Sequence, residues 1–328
     1  MAVAIDLSLC STLFTGGIEG SVGLGMRSAI ATHFMSLGTL PPDANGSAPS
    51  LNLLQAFVLG IVQGLTEFLP ISSTAHLKVI PVALGWGDPG VTFTAVIQLG
   101  SIFAVIGYFW GDLTTIVRGA WSALRQGKYE DQNWRLAVGI LLGTVPIAVC
   151  GLLLKALVPD LDHSPMRSTT TIAIVSIVMA LLLAVAEKVS THKRRFPQLT
   201  LQDGIWMGLA QTLALIPGVS RSGSTLTAGL LIDLERATAA RFSFLLGIPA
   251  ITLAGLVELK SALEDPSHGT GIVALIVGVI SSAIFSYAAI AWLLRFLQTK
   301  TTWVFVWYRL AFGGVILGAI VAGMLQGK

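Results

Sequence analysis

Apolar residues fall along this chain in long blocks, not at a strand or surface-helix period. Six blocks have the length and apolarity of a bilayer-spanning helix: about 91–110, 136–158, 169–186, 241–258, 271–294 and 303–325. About 20 apolar residues are needed to cross hydrocarbon as helix. Two further blocks are shorter and stop at proline, 51–69 before Pro70 and 204–216 before Pro217-Gly218. Proline removes a backbone N–H and clashes with the turn before it. Such interrupted helices survive in lipid only where protein or water covers the freed backbone groups. The pattern therefore predicts an all-α polytopic membrane protein with about six full transmembrane helices and two re-entrant helical hairpins.

The two short blocks resemble each other. Gly60, Gln63, Leu65, Ser72 and Thr74 correspond to Gly208, Gln211, Leu213, Ser220 and Ser222 at one constant offset of 148 residues, for example 211 − 63. Basic residues cluster in three connections: Arg118, Arg125, Lys128 and Arg135; Lys188, Lys193, Arg194 and Arg195; and Arg295 with Lys300. The positive-inside rule puts these in the cytoplasm and both termini outside. The two interrupted helices then enter from opposite sides. That is the expectation for an inverted-topology repeat with halves at about 51–186 and 204–328, whose breaks meet near the midplane.

Composition agrees with the block pattern. Of 328 residues, 54% are hydrophobic and 11% charged, against about 25% charged in soluble domains. The formal charge of +3 resides in loop residues and gives no nucleic-acid surface. Cys10 and Cys150 are too few and too far apart for a disulfide or zinc framework. Residues 1–50 are rich in Gly, Ser, Thr and Ala, and read as a poorly ordered extension ahead of a single membrane domain over 51–328.

Polar chemistry concentrates at the two breaks. Gln63 and Glu67 are four apart and share a helix face, and a carboxylate at membrane depth is costly enough to mark a functional site. The first break continues with Ser72, Ser73, Thr74 and His76. Ser73 is the candidate nucleophile, His76 the candidate base, and Glu67 an acid or a ligand for a hard cation. Direct attack by His76, or by water it activates, stays open. The second break reads PGVSRSGST from Pro217 to Thr225. Arg221 offers a planar fork suited to phosphate oxygens. Ser220, Ser222, Gly223 and Thr225 surround it, with Ser224 or Thr225 expected to open the next helix. Arg309, inside the last block, needs a carboxylate or backbone carbonyls as partner.

The LTEFLPISSTAH segment (Leu65–His76) and the PGVSRSGST segment together resemble the undecaprenyl-diphosphate phosphatase family, as does FVWYRLAFG from Phe305 to Gly313. The resemblance covers about 51–328. It implies a hydrolase of the bacterial inner membrane, with its site open to the outer side. Its substrate would be a polyprenyl diphosphate lipid, hydrolysed with a divalent cation, Mg²⁺ or Ca²⁺, during peptidoglycan carrier recycling and with bacitracin resistance as a consequence. It also implies Glu67, Ser73, His76, Ser220, Arg221 and Thr225 as site residues, with Glu67 as metal ligand. Gln63 and Ala75 depart from the Glu and Gly of many members. A polyprenyl-phosphate flippase or other secondary transporter is the alternative function, and a homodimer is compatible with the sequence.

Overall fold

A computed structural model describes residues 51–158, 164–264 and 271–325. The expected extension over 1–50, with Cys10, lies outside these. Eleven α-helices follow among the described residues: α1 (Leu53–Phe68), α2 (Ser73–Ala83), α3 (Gly90–Tyr108), α4 (Trp110–Gln126), α5 (Gln132–Leu157), α6 (Thr169–Val189), α7 (Leu201–Gln211), α8 (Arg221–Leu231), α9 (Arg236–Glu264), α10 (Ile272–Thr299) and α11 (Trp303–Val321). Five are long and apolar enough to cross a membrane: α5, α6, α9 as far as Val257, α10 and α11.

The sixth expected span takes a different form. Helix α3 covers it, but the connection after it is helical: α4 follows at once, bent by 65° at Phe109. Ile116, Ala120 and Ala123 form a buried stripe on α4, while Arg118 and Arg125 point outward. Asp112 in its first turn suits the positive end of the helix dipole and accepts from Arg241 of α9 at 2.7 and 3.1 Å.

The two interrupted helices are each held against a long partner by close backbone approach. A Cβ on Gly60 would stand 2.5 Å from the Gly278 carbonyl oxygen of α10, and one on Gly64 would stand 2.7 Å from that of Ser282. On α7, a Cβ on Gly204 would stand 2.6 Å from the Gly139 carbonyl oxygen of α5. Small residues four apart permit such contact where burial of apolar surface gives little drive between helices.

The proline ahead ends α1, and it ends the 3₁₀ turn that follows α7. Leu69 (φ −70°, ψ 143°) and Ile216 (φ −85°, ψ 120°) are extended, as a residue before proline prefers. Helix α7 begins and ends earlier than expected. A capping box between Thr200 and Asp203 starts it at Leu201, and a 3₁₀ turn over Thr212–Leu215 replaces its last turn. The same backbone kink then opens both following helices. Ser72 (φ 75°) precedes α2 and Ser220 (φ 71°) precedes α8, so the sequence correspondence extends to dihedral angles.

The expected basic connection before α7 is pinned in place. Arg194 clamps Asp203 with two hydrogen bonds of 2.9 and 2.6 Å and donates to the Ile232 carbonyl at 3.0 Å. Its guanidinium is held in the charged form by that carboxylate. Nearby, Glu187 of α6 is buried between Arg236 of α9 and Thr302 ahead of α11, tying three long helices at one end.

Candidate active site

The two breaks meet. Glu67, in the last turn of α1, is the hub. Its Oε2 accepts from Ser73 Oγ at 2.8 Å and from Gln63 Nε2 at 3.2 Å, and its Oε1 lies 3.7 Å from Arg221 NH2. Ser73 belongs to the first helical position after the first break and Arg221 to the first after the second. Both side chains therefore touch one carboxylate, close enough to share a phosphate group. Gln63 also reaches Ser101 Oγ of α3 at 3.4 Å, and Ser101 is bonded to Ser282 and Ser286 of α10 at 3.1 and 2.9 Å.

Arg221 is almost buried, with 8% of its side chain exposed. Its NH1 donates weakly to the Ser243 carbonyl of α9 at 3.4 Å. Its Nε and NH2 have no hydrogen-bond partner among the described residues. A buried donor left unpaired is costly, more so on a charged group. The guanidinium approaches Gly247 of α9 with NH1 foremost, where any side chain would occupy its space.

A second guanidinium holds the breaks together. Arg309 of α11 is 1% exposed. It donates to Pro70 O of the first break at 3.1 Å, and to Val219 O and Gly218 O of the second at 3.0 and 2.7 Å. Its Nε donates to Ser176 O of α6 at 3.2 Å. Backbone carbonyls, not a carboxylate, are thus its partners. Ser222 adds a tie, donating to Leu69 O at 3.0 Å, one of the carbonyls left free at the end of α1. Glu67 is thus paired with Arg221, while Arg309 brings a second positive charge to the junction with no carboxylate against it, an arrangement suited to an anion.

The other expected residues divide. Ser73 and His76, read as a nucleophile–base pair, are not paired: Ser73 donates to Glu67, and both His76 nitrogens are taken elsewhere. Nδ1 meets Ser72 O at 2.7 Å and Nε2 meets Tyr308 OH at 2.7 Å. The next helix opens at Arg221, not at Ser224 or Thr225; Ser220 Oγ caps it by accepting from Gly223 N at 3.2 Å. Ser224 and Thr225 hydroxyls instead fold back on the Arg221 carbonyl at 3.0 and 2.8 Å, and Thr225 also bonds Ser243. Ser72 and Thr74 hydroxyls bond each other at 3.2 Å. Gly223 leaves room for Arg309: a Cβ there would stand 3.1 Å from its NH1. Tyr308, Ser101 and Ser243 were not singled out in the sequence, whereas Gly247 was visible there in a Leu-Gly pair 147 residues after Leu99-Gly100, without a role.

Among the described residues, no three His, Cys, Asp or Glu side chains cluster as a metal cage. The single carboxylate of Glu67, beside the Gln63 amide and the Ser73 hydroxyl, fits only a cation whose shell is completed by water and ligand oxygens, the Mg²⁺ habit.

Fold and site together define a multi-pass helical membrane protein whose two interrupted helices converge on a buried carboxylate, hydroxyls and a guanidinium, with a second guanidinium joining their breaks. The model of the family described as bacitracin resistance protein BacA matches residues 56–315, and the chain belongs to that family. Its curated relatives include an undecaprenyl-diphosphatase of Trichormus variabilis, 65% identical over 286 residues, covering 87% of this chain and 89% of the relative. Those of Synechocystis sp. (67% over 274 residues, 84% of each chain) and Trichodesmium erythraeum (59% over 285 residues, 87% and 91%) carry the same name.

Proposed function

We propose that this chain hydrolyses undecaprenyl diphosphate to undecaprenyl phosphate and inorganic phosphate, recycling the lipid carrier of cell-wall synthesis in the bacterial plasma membrane. The observation that carries this is the Arg221 guanidinium, buried against the carboxylate that holds Ser73, with Nε and NH2 making no hydrogen bond and NH2 only an ion pair of 3.7 Å to Glu67. A planar fork of free donors next to a hydrogen-bonded hydroxyl is what a phosphoryl group would be met by.

Ser73 is the nucleophile in this reading, and Glu67 takes the base role first given to His76. The Ser73 hydroxyl proton passes to Glu67 Oε2 as Oγ bonds the terminal phosphorus. The bond from that phosphorus to the bridging oxygen breaks and the lipid monophosphate leaves. Water then cleaves the phosphoserine: the P–Oγ bond breaks, Glu67 returns its held proton to Oγ, and the water's protons leave with inorganic phosphate. Arg221 stabilises the charge that gathers on the phosphoryl oxygens, an effect worth roughly 10²–10³ in rate per donor. Gln63 orients Glu67 from the side opposite Arg221. A Mg²⁺ or Ca²⁺ held by Glu67 would supply further charge neutralisation on the diphosphate. The basic connections support an opening toward the outer face.

Transport by an inverted repeat is the rival. A site that only passes a lipid phosphate across needs charge and hydroxyls, but not a serine hydrogen-bonded to a carboxylate at 2.8 Å. Purified protein in detergent is expected to release phosphate from a polyprenyl diphosphate, and Ser73→Ala to abolish release with the fold intact. No release by the unmodified protein rejects hydrolysis. Release undiminished in Ser73→Ala rejects the serine as nucleophile.

A further inference from the structure

The geometry points to Tyr308 as a positioning residue for the reaction, acting through His76; this rests on the diphosphatase reading above. His76 lies in the first turn of α2, three residues after Ser73, and is only 2% exposed. Its ring is fixed on three sides. Nδ1 is 2.7 Å from the Ser72 carbonyl oxygen, which can only accept, so the neutral ring carries its proton there. Nε2 therefore presents a lone pair, and the Tyr308 hydroxyl, 2.7 Å away, donates to it. Phe312 stacks on the face of the imidazole, with centroids 4.3 Å apart and planes 11° apart.

Three features make this more than packing. Ser72, which sets the tautomer, is the residue with the left-handed backbone angle that starts α2 and places Ser73 on Glu67. Tyr308 precedes Arg309, whose guanidinium joins the two breaks, so one turn of α11 sets both the spacing of the breaks and the pose of the imidazole. Lastly, Tyr308 is 44% exposed while its partner is buried. Tyr308 is the half-exposed end of a Ser72–His76–Tyr308 chain whose inner end is the break itself. Such a chain orients the imidazole, fixes its tautomer and holds the Ser72 carbonyl in place.

Tyr308→Phe is the test, because it keeps the ring beside Phe312 and deletes one oxygen at a half-exposed edge. Initial rates of phosphate release from undecaprenyl diphosphate are measured for the unmodified protein, Tyr308→Phe, His76→Ala and the double variant, with unfolding midpoints in detergent. The expected result is a fall in kcat of about tenfold, equivalent to one lost hydrogen bond. KM stays within about twofold and the midpoint is unchanged. The double variant is no slower than His76→Ala, since residues acting as one unit are not additive. Wild-type kcat in Tyr308→Phe, or a faster enzyme, overturns the proposal. So does a loss that multiplies with that of His76→Ala, or one that tracks a lowered midpoint. If the unmodified protein releases no phosphate, the diphosphatase reading fails first, and the two failures are told apart by that control.

Discussion

Replacing Gly247 by alanine is expected to disable the site while sparing the fold. A methyl at 247 would stand 1.8 Å from Arg221 NH1, 2.6 Å from Cζ and 3.3 Å from NH2. Carbon and nitrogen that are not hydrogen-bonded need about 3.5 Å, so the guanidinium must retreat by roughly 1.7 Å. The atoms that give way are the tip of a long side chain, which leaves α9 itself undisturbed. That retreat takes Arg221 off its bearing on Glu67 and on any phosphoryl group between them. A displacement near 1 Å at a reacting centre costs about 10²-fold, which is about 2.7 kcal/mol of transition-state stabilisation. Rates of phosphate release at subsaturating undecaprenyl diphosphate give kcat/KM, and unfolding in detergent gives the midpoint. Gly100, in the matching Leu-Gly pair, serves as contrast: its Cβ would press on the Val279 carbonyl and on Ala283 N at 2.9 Å, both backbone atoms that cannot turn aside. Gly100→Ala should therefore lower the midpoint, and Gly247→Ala the rate. A Gly247→Ala enzyme within threefold of normal kcat/KM and equal in stability would refute the placement of Arg221 as the phosphate fork.

Arg221→Lys keeps the charge and loses the planar fork, so phosphate release should fall by about 10²-fold or more; retention of half the rate contradicts a two-pronged contact. Glu67→Gln keeps shape and loses charge, and should abolish turnover together with any rise in unfolding midpoint on titrating Mg²⁺ or Ca²⁺. An unchanged cation titration would remove Glu67 as a ligand. Arg309→Lys should lower the midpoint and the rate together, because an ammonium with three donors cannot serve four carbonyls from one plane; normal stability in that variant would show that the guanidinium does not bind the breaks.

The spans were legible because hydrocarbon demands long apolar blocks, and the two breaks because Pro70 and Pro217 forbid helix in the residue before them. Helix α4 was hidden. Its buried stripe is thin, Ile116 with two alanines, and Arg118 and Arg125 among them read as a cytoplasmic loop. At the site, Glu67 and Arg221 stood out as charges that lipid penalises, and their meeting followed from having to share one cover. Their partners were less readable. Ser73 lies three residues before His76 yet bonds Glu67, six residues back, because the helix breaks between Phe68 and Ser73 and the break brings the start of α2 to the end of α1. Spacing along a continuous helix cannot express that break. Arg309 was visible only as a charge needing company. All its partners are carbonyls, which every residue carries, so no side-chain pattern could name them.

The Arg309 clamp also sets which positions can drift without harm. Its acceptors belong to the main chain of Pro70, Ser176, Gly218 and Val219. A change of side chain at Ser176 or Val219 leaves the acceptor in place, so mutation there cannot unmake the junction by chemistry, only by crowding. Position 309 has no such freedom, since every donor comes from one residue. Tolerance around the junction is therefore lopsided: Ser176 and Val219 can change, whereas Gly218, with φ 94° and Ile172 O 2.9 Å from where a Cβ would stand, cannot. Random mutagenesis of this chain, scored by survival of carrier recycling, would register an intolerant codon in α11, far in sequence from the breaks it joins.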